Sequence, residues 1–474
     1  MTVSTYSMSG TAEPIDVLFQ VAKSLRSPVL LDSTLHGEDA WTILTAEPSR
    51  EIDDELPPWR PGPSSTASTL SAERDPRPPL PEDMPPFRTG WIGFLSYESG
   101  PALNPDLTTR PRDGCVPRMH WSQYRASIAY RHSDRTWWLS WANDESAMLQ
   151  GQELRRCLAN AASSGRASLS RAYDVGSPEP EVSLDSYVRK VEAIQEWIAR
   201  GHIYQANLTY QMRAAFEGRG LDLYPELRRT SPVPFGAYLR IDHPAPDHPE
   251  GATDAPLEIL AASPELYLST RGTTIRTRPI KGTRPRALSN PERDAALARE
   301  LFLSEKDRAE LTMIVDLERN DLGRVCEYGS VRTHAFPRVE SYRGVHHLVA
   351  DVEGKLRPSV SLKEILAATF PGGSVTGAPK IRAMELIAEL ESSPRGIYTG
   401  ALGYLDDSGD MTLSLTIRTL SITPGREREL RFGVGGGIVA DSVPAHEWAE
   451  TEHKAKTLVE ALRSRDEAAA SDSA

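Results

Sequence analysis

Residues 279–283 read Pro-Ile-Lys-Gly-Thr, at the centre of the basic run IRTRPIKGTRPR that extends from 275 to 286. Positive charge near Lys281 favours its neutral amine, which is the form that can act as a nucleophile. The charges come from Arg276, Arg278, Arg284 and Arg286. Taken alone, the run is better explained as a basic surface strand. The meaning of Lys281 therefore depends on the segments around it.

The segment before this run, AASPELYL at 261–268, contains a single acidic residue, Glu265. We place Glu265 in an apolar strand, where burial would raise its pKa and suit it to general acid catalysis. A buried structural salt bridge would have the same sequence pattern. Glu265 is therefore a candidate acid close to Lys281 in the chain.

Two acidic pairs have a spacing of three residues, namely Asp307 with Glu310 and Glu447 with Glu450. On a helix this spacing places both carboxylates on one face, as a hard cation such as Mg²⁺ requires. Ser304 predicts a helix start that puts Asp307 in the first turn. Each pair alone is more often a solvated helix face.

Two glycine-rich segments follow, FPGGSVTGAPKIRAMEL from 370 and VGGGI at 434–438. The first is not a phosphate-binding loop, because Gly377 is followed by Ala-Pro before Lys380. It predicts a glycine-rich turn that opens a helix. The second lacks the dinucleotide-binding spacing, since Ile438 occupies the last glycine position. Its backbone N–H groups can bind a carboxylate, although a strand-to-turn cluster of glycines is the default interpretation.

The chain has 474 residues, and helical runs alternate with strand-like ones, which predicts an α/β architecture. A helix is expected from Leu184, with an apolar stripe through Tyr187 and an end at Gly201. The strand-like runs include LEILAAS, MTLSLTIRTL and ELRFGVGG. The predicted organisation is an N-terminal region 1–175 with a Pro-rich loop at 53–86, a catalytic domain 184–463, and a disordered tail 464–474.

Composition excludes several classes of protein. The formal net charge of -12 disfavours nucleic acid and anionic lipid as partners. Cys115, Cys157 and Cys326 are far apart and form no CxxC pair, which argues against a disulfide framework or a zinc cluster. No signal peptide and no run of about 18 apolar residues is present. We expect a soluble, cytoplasmic protein.

Taken together and in this order, the segments resemble the chorismate-utilising enzymes, a family that includes anthranilate, aminodeoxychorismate, isochorismate and salicylate synthases. The resemblance runs from Leu184 to Leu462 and is looser at LLDS, 30–33, and TGWIGFLSYE, 89–98. The motifs that carry it are IYQANLT, SPE, PIKGT, KDRAEL, MIVDLERNDLGR, VHHLV, FPGGSVTGAPKIRAMELI, GALGYL, TIRT, GGGIVADS and ExxExxxK.

The resemblance implies an α/β (α+β) fold whose antiparallel sheets form a two-layer core flanked by helices. It also implies one Mg²⁺ between protein carboxylates and the ring carboxylate of chorismate. Glu310, Glu447 and Glu450 match the metal positions. Asp307 stands where some relatives have glutamate, so it is expected to act through water. His347 matches a histidine that assists aromatisation in some relatives, and here it is expected to orient the substrate. The positions that match substrate-binding groups are Tyr398, Arg418, Gly435, Gly436, Gly437, Lys454, Ser374 and Gln205.

Two positions separate the branches of the family. Gln205 stands where relatives that add water at ring carbon 2 carry a lysine base, and Lys281 stands where anthranilate synthases usually carry alanine. The resemblance therefore implies that Lys281 attacks carbon 2, Glu265 protonates the departing hydroxyl at carbon 4, and ammonia then displaces Lys281. The product would be 4-amino-4-deoxychorismate, the precursor of p-aminobenzoate and folate. Anthranilate, 2-amino-2-deoxyisochorismate and a non-catalytic chorismate-binding paralogue are the alternatives.

Two further ligands are implied. Ammonia is expected from a separate glutamine amidotransferase subunit in a heterodimer, because no cysteine lies in a Gly-x-Cys-x-Gly elbow. Ser33, with Pro234 and Phe235, resembles the edges of a tryptophan pocket in the family. Ordinary strand and turn packing explains the three residues equally well.

Overall fold

The computed structural model describes residues 2–34, 40–62, 83–104, 116–164, 173–242, 255–342, 344–424 and 427–462. The helices are α1 Pro14–Ser24, α2 Ser99–Leu103, α3 Glu145–Ser164, α4 Leu184–Ala199, α5 Gly220–Thr230, α6 Pro291–Leu303, α7 Glu305–Gly323, α8 Leu362–Thr369, α9 Lys380–Leu390 and α10 Pro444–Leu462, with one 3-10 turn at Gly373–Val375.

The strands are β1 Val3–Ser9, β2 Val29–Asp32, β3 Trp41–Thr45, β4 Arg50–Asp53, β5 Gly90–Leu95, β6 Met119–Tyr124, β7 Ala126–Arg131, β8 Thr136–Ala142, β9 Tyr173–Val175, β10 Glu179–Pro180, β11 Gln205–Gly218, β12 Phe235–Ile241, β13 Leu257–Ser263, β14 Leu266–Arg271, β15 Thr274–Arg278, β16 Ile280–Pro285, β17 Arg332–Ser341, β18 Val345–Lys355, β19 Gly377–Ala378, β20 Ala401–Asp406, β21 Met411–Leu415, β22 Thr419–Ile422 and β23 Glu429–Ile438.

The described strands form two large antiparallel sheets. The first has the order β1-β8-β7-β3-β2-β12-β13-β22-β23-β11-β10, with β9 and β19 also paired to β11. The second has the order β16-β18-β15-β14-β21-β20-β5-β6-β4, with β17 paired to β18. Both sheets take strands from either side of the predicted boundary near residue 180, so that boundary does not separate the sheets.

Three hydrophobic cores hold the layers together. The core between the sheets contains side chains such as Ile43 and Ile259 from the first sheet and Phe94 and Leu402 from the second. Alternate residues of the first sheet pack outward against α1, α3, α4, α5, α9 and α10. The second sheet packs outward against α7 and α8. The prediction of a two-layer antiparallel core flanked by helices is confirmed.

Several local predictions are confirmed as well. Helix α4 begins after Ser183, whose side chain accepts the N–H of Ser186, and Gly201 follows its end at φ +74°. The run LEILAAS is β13, whereas MTLSLTIRTL divides into β21 and β22. Much of the predicted Pro-rich loop and the whole predicted tail lie outside the described residues. No helix in the described ranges is both long and apolar enough to cross a bilayer.

Candidate active site

The triple glycine lies at the end of β23, and Gly435 and Gly436 continue the strand that the run ELRFGVGG predicted. In the register with β11, Gly435 faces Thr209 and Gly437 faces Asn207. Thr209 donates its N–H to Glu391 Oε1 (2.9 Å), and Asn207 donates its N–H to Thr376 O (2.7 Å). Both pairs are therefore the non-hydrogen-bonded kind, so the N–H groups of Gly435 and Gly437 point away from β11. This edge of β23 presents backbone donors.

Side chains approach the backbone of β23 closely, and the ring of Tyr398 leaves room only for glycine at Gly433. A Cβ on Gly437 would lie 2.6 Å from Gln205 Nε2, and a Cβ on Gly433 would lie 2.0 Å from the ring of Tyr398. A Cβ on Gly436 would lie 3.4 Å from Glu447 Oε2. The strand therefore brings Gln205, Tyr398 and Glu447 against one stretch of bare backbone.

Helix α10 contributes the second acidic pair and a lysine from one face. Glu447 is buried, whereas Glu450 is half exposed and forms an ion pair with Lys454 (Nζ to Oε1, 2.8 Å). Lys454 also donates to Gly435 O (3.0 Å), which ties the helix to the glycine strand. Burial would raise the pKa of Glu450, but the ammonium group of Lys454 outweighs it and lowers that pKa. Glu450 is thus held ionised.

Helix α7 contributes the first acidic pair, and its two members have different surroundings. Burial raises the pKa of Glu310; Lys281 opposes this shift and Glu450 adds to it. Asp307 is paired with Arg284 (Oδ2 to Nη2, 3.3 Å), and it also raises the pKa of Glu310. Glu310 interacts electrostatically with Lys281 and with Glu450 on α10.

A β-bulge at Gly282 places Lys281 in the site. The register between β16 and β18 shifts between Lys281 and Thr283, and Gly282 has φ +74°. A Cβ at Gly282 would lie 2.8 Å from the carboxyl carbon of Asp307, so only glycine fits between β16 and α7. Bulges of this kind redirect side chains next to active sites. The Lys-Gly pair of the opening motif is thus explained by close packing as well as by φ.

The pKa of Lys281 is lowered, as the sequence predicted, but the cause is different. Burial is the largest effect, and the carboxylates of Glu310 and Glu265 oppose it. The flanking arginines are neutralised by their own carboxylate partners, because Arg276 binds Asp351 and Arg286 binds Asp294 (Nε to Oδ1, 2.9 Å). Arg278 and Arg284 are paired in the same way, with Glu340 and Glu300. Their field therefore cannot be the reason for a neutral amine.

Glu265 lies in the connection between β13 and β14, not within a strand as the sequence predicted. Pro264 has no N–H to donate, so the ladder is interrupted at this point. The prediction of a raised pKa is confirmed, because burial raises the pKa of Glu265 to about 7. Ser374 Oγ donates to Glu265 Oε1 (2.8 Å), and Lys281 Nζ donates to Ser374 O (3.5 Å). Ser374 thus contacts both candidate catalytic groups.

Arg418 and His347 complete the group. Burial lowers the pKa of Arg418, and Glu265 opposes that shift. Within the described ranges, its guanidinium forms no hydrogen bond or ion pair with another side chain. Burial, and then Arg418, lower the pKa of His347 to about 4, so its ring is neutral near pH 7. Thr283 Oγ1 lies 3.1 Å from His347 Nδ1.

The site also contains polar groups that sequence reasoning missed or could not evaluate. Both amide atoms of Gln205 are buried without a partner among the described residues, and so is the hydroxyl of Tyr187. Glu318 is buried, accepts from Thr277 Oγ1 (3.1 Å) and interacts electrostatically with Glu265. Tyr187 was predicted only as part of an apolar stripe. Its phenolic oxygen was the signal in the sequence, because a buried tyrosine normally needs a partner.

The carboxylates of this site fit a hard cation by their chemistry. Glu310, Glu447 and Glu450 supply only oxygen ligands, which Mg²⁺ prefers. The unfavourable interaction of Glu310 with Glu450 is one that a bound cation would relieve. In the described part of the chain, no three His, Cys, Asp or Glu side chains are already gathered at metal-ligand spacing. The donors are therefore suitable in type, but they are not arranged around one point.

Ser33, Pro234 and Phe235 lie in a different place from the other predicted site residues. All three line one cavity of about 280 Å³, together with Trp41 and Tyr404. This volume is near the lower end, about 300 Å³, of the range for small-molecule pockets. The structure brings the three residues together, as expected of a pocket.

The comparisons with known proteins show the family of the chain. The sequence profile described as chorismate binding enzyme matches residues 34–460. Aminodeoxychorismate synthase component 1 of Bacillus subtilis is 36% identical over 389 residues, which cover 81% of this chain and 79% of that protein. The chain belongs to the family of chorismate-binding enzymes. All the candidate residues except Ser33 fall within the part that matches the family.

Other members of the chorismate-binding family differ in their reactions. Anthranilate synthase component 1 of Aquifex aeolicus is 42% identical over 277 residues, 58% of this chain and 53% of that protein. The crystal structure of anthranilate synthase component I from Streptococcus pneumoniae has a TM-score of 0.69 at 30% identity and covers 88% of this chain and 92% of that one. The menaquinone-specific isochorismate synthase of Escherichia coli shares the fold, with a TM-score of 0.69 at 16% identity over 98% of this chain and 95% of that one.

Proposed function

We propose that this chorismate-utilising enzyme is component I of an aminodeoxychorismate synthase, which converts chorismate and ammonia to 4-amino-4-deoxychorismate. The observation that carries the proposal is the contact of Ser374 with both Lys281 and Glu265. It joins an amine whose pKa is lowered to a carboxyl whose pKa is raised to about 7. Such a pair supplies a nucleophile and a general acid at neutral pH.

The reaction proceeds in two displacements. The neutral amine of Lys281 attacks ring carbon 2, the ring double bonds shift, and the hydroxyl at carbon 4 leaves as water with the proton of Glu265. Ammonia then attacks carbon 4, the double bonds shift back, and the Lys281 amine leaves carbon 2. The Glu265 carboxylate recovers a proton from the new ammonium group. Two displacements replace one difficult direct substitution, and the acid form of Glu265 is regenerated.

The remaining groups bind the two carboxylates of chorismate. Arg418 is a partly buried cation whose planar donor pair suits a carboxylate. The N–H groups of Gly435 and Gly437 point from the edge of β23, and Lys454 adds a positive charge beside them. Glu310, Glu447 and Glu450 would hold Mg²⁺, with Asp307 acting through water, and the ion would orient the ring carboxylate and neutralise its charge. His347, neutral near pH 7, would orient the ring.

A second candidate is anthranilate synthase component I. Its support is the identity of 42% to the relative from Aquifex aeolicus, which bears that name. The position of Lys281 opposes it, because a protein amine at carbon 2 competes with ammonia for the same atom. The aminodeoxychorismate synthase assignment therefore accounts for more of the site.

A partner subunit, a pathway for the product and a bound tryptophan also belong to the proposal. Two relatives are named component 1 of an aminodeoxychorismate synthase, which supports the presence of a second subunit. We expect this second subunit to be a glutamine amidotransferase that supplies ammonia. The product would serve p-aminobenzoate and folate synthesis. Tryptophan would occupy the cavity bordered by Ser33, Pro234 and Phe235, where Trp41 supplies an aromatic wall.

The test is product analysis. The purified protein is incubated with chorismate, an ammonium salt and Mg²⁺, with and without a glutamine amidotransferase, and the products are separated and identified by mass. We expect 4-amino-4-deoxychorismate without release of pyruvate, since the enolpyruvyl group is retained. Release of pyruvate together with fluorescent anthranilate would establish the second candidate and exclude the first. Absence of turnover under every condition would favour a chorismate-binding paralogue.

A further inference from the structure

The hydroxyl of Tyr187 is a buried hydrogen-bond donor without an acceptor. Tyr187 lies on α4 with 1% of its surface exposed, and its oxygen has no partner among the described residues. A buried tyrosine normally donates its hydroxyl proton, and an unmade bond of this kind destabilises the folded chain. A buried polar group without a partner requires an explanation. One common explanation is that its partner forms only when an ion or ligand is bound.

The surroundings of Tyr187 identify where that group belongs. Its ring packs edge-on against Trp448 (centroids 5.3 Å apart) and Tyr210 (5.8 Å). Trp448 directly follows Glu447 on α10, and Glu447 Oε2 faces the bare backbone of Gly436. Burial has the largest effect on the pKa of the Tyr187 phenol and raises it. Among charged groups, Glu447 has the largest effect and raises this pKa further. The ring of Tyr187 therefore packs against the residue next to Glu447 on α10.

Tyr210 provides a direct contrast in the same aromatic cluster. Its ring stacks on Trp448 at 5.1 Å, and its hydroxyl lies 2.8 Å from Thr451 Oγ1. The two tyrosines are equally buried and share a neighbour, but only the hydroxyl of Tyr210 has a partner. The missing bond at Tyr187 is thus not a general property of this cluster.

We propose that Tyr187 is a positioning residue for Glu447, whose carboxylate accepts the Tyr187 hydroxyl proton in a hydrogen bond when it turns toward a bound cation. The proposal rests on the magnesium site of the proposed function, and it names one residue that would tune that site. A fixed carboxylate binds a cation more tightly, and removal of such a supporting donor typically weakens metal affinity by about 10–100-fold. In the free protein the same hydroxyl destabilises the folded state, because it is buried without an acceptor.

The test is the variant Tyr187→Phe, which removes one oxygen and keeps the ring. Its melting temperature without ligand is expected to equal or exceed that of the wild type. Its affinity for Mg²⁺, measured by calorimetric titration of metal-free protein, is expected to fall by roughly tenfold. A tyrosine that only supports the fold would show the reverse, a lower melting temperature with unchanged affinity.

Tyr210→Phe is the matched control, because it removes a hydroxyl that has a partner. It should lower the melting temperature by roughly 1–4 °C and leave the Mg²⁺ affinity unchanged. A lower melting temperature of Tyr187→Phe, or an unchanged affinity, would overturn the proposal. If the wild type takes up no Mg²⁺, the metal site of the proposed function fails. The same variants are then titrated with chorismate, and an unchanged affinity of Tyr187→Phe overturns the role of Tyr187.

Discussion

Arg395 is a buried arginine and Arg418 a partly buried one, and their surroundings are opposite. Arg395 donates to Glu391 Oε1 (2.7 Å), Asn207 O (2.6 Å) and Val375 O (2.8 Å), and Glu391 reverses the effect of burial so that the pKa of Arg395 is raised. Arg418 has no such carboxylate partner within the described ranges, and its pKa is lowered. A buried charge with every donor used supports the fold, whereas one with unused donors is available to a ligand.

The same contrast separates two regions. Around Arg395, hydrogen bonds join the start of β11, the turn after Ser374 and the segment that carries Tyr398. In the second region, both amide atoms of Gln205 are buried without a partner among the described residues. The first region is a scaffold, and the second is the surface that it holds in place. Each of the following predictions tests whether a residue belongs to one region or the other.

The largest effect is expected from Lys281→Ala. Loss of the nucleophile should reduce amination of chorismate by on the order of 10³-fold or more, as removal of a nucleophile does in other enzymes. The measurement is initial rate with saturating chorismate and ammonium. Arg276→Ala is the control, since Arg276 belongs to the same basic run but is paired with Asp351. An unaffected rate in Lys281→Ala would remove the covalent step from the mechanism.

Arg395→Met tests the scaffold side of the comparison. It leaves the buried carboxylate of Glu391 without its cation, and such a loss typically costs about 3–5 kcal/mol of unfolding free energy. Arg319→Met is the control, because the exposed pair of Arg319 with Asp316 should contribute less than about 1 kcal/mol. Both variants are measured by urea unfolding. If both variants lost the same unfolding free energy, Arg395 would not stabilise the fold more than an exposed arginine does.

The pH dependence of the reaction tests the assignment of Glu265. Its pKa of about 7 lies above the ordinary carboxyl value, and the acid form is the active one. The acid form is lost as pH rises through 7, while the neutral amine of Lys281 is gained up to its own pKa. Above both pKa values, kcat/KM should therefore fall by up to about tenfold per pH unit. The concentration of free ammonia is held constant throughout. The variant Glu265→Gln should be slow at every pH and should lack this decline, and a decline that persists would assign it to another group.

The smallest effects are expected from substituting two glutamines of β11, Gln205 and Gln211. Gln205 has two amide atoms without a partner among the described residues, whereas Gln211 Nε2 donates to Arg395 O (2.9 Å). Gln205→Met should leave the unfolding free energy unchanged or slightly higher and weaken chorismate binding. Gln211→Met should lower the unfolding free energy by about 1–3 kcal/mol. A larger loss of unfolding free energy in Gln205→Met than in Gln211→Met would contradict the assignment of Gln205 to the site and of Gln211 to the scaffold.

Prediction from sequence was most successful where the relevant pattern is local. Helix α4 and its end at Gly201, the strand LEILAAS and the helix start at Ser304 depend on spacing and capping within a few residues, and the structure has all of them. Glu265 was placed in a strand because apolar residues surround it, and Pro264 interrupts that strand. Gly435 and Gly436 lie in a strand, as the run ELRFGVGG predicted, but only the structure shows that the side chain of Gln205 closely approaches the backbone of Gly437.

The amino-acid sequence by itself determined the family and the fold class, because those follow from motif order and from the chemistry of each residue type, and it named the candidate site residues. Only the tertiary structure decided the state of those side chains. Burial, and not the flanking arginines, lowers the pKa of Lys281. Tyr210 finds a partner 241 positions away, whereas Tyr187 finds none within the described ranges. Burial and hydrogen bonding depend on atoms that are distant in the chain and meet only when it folds.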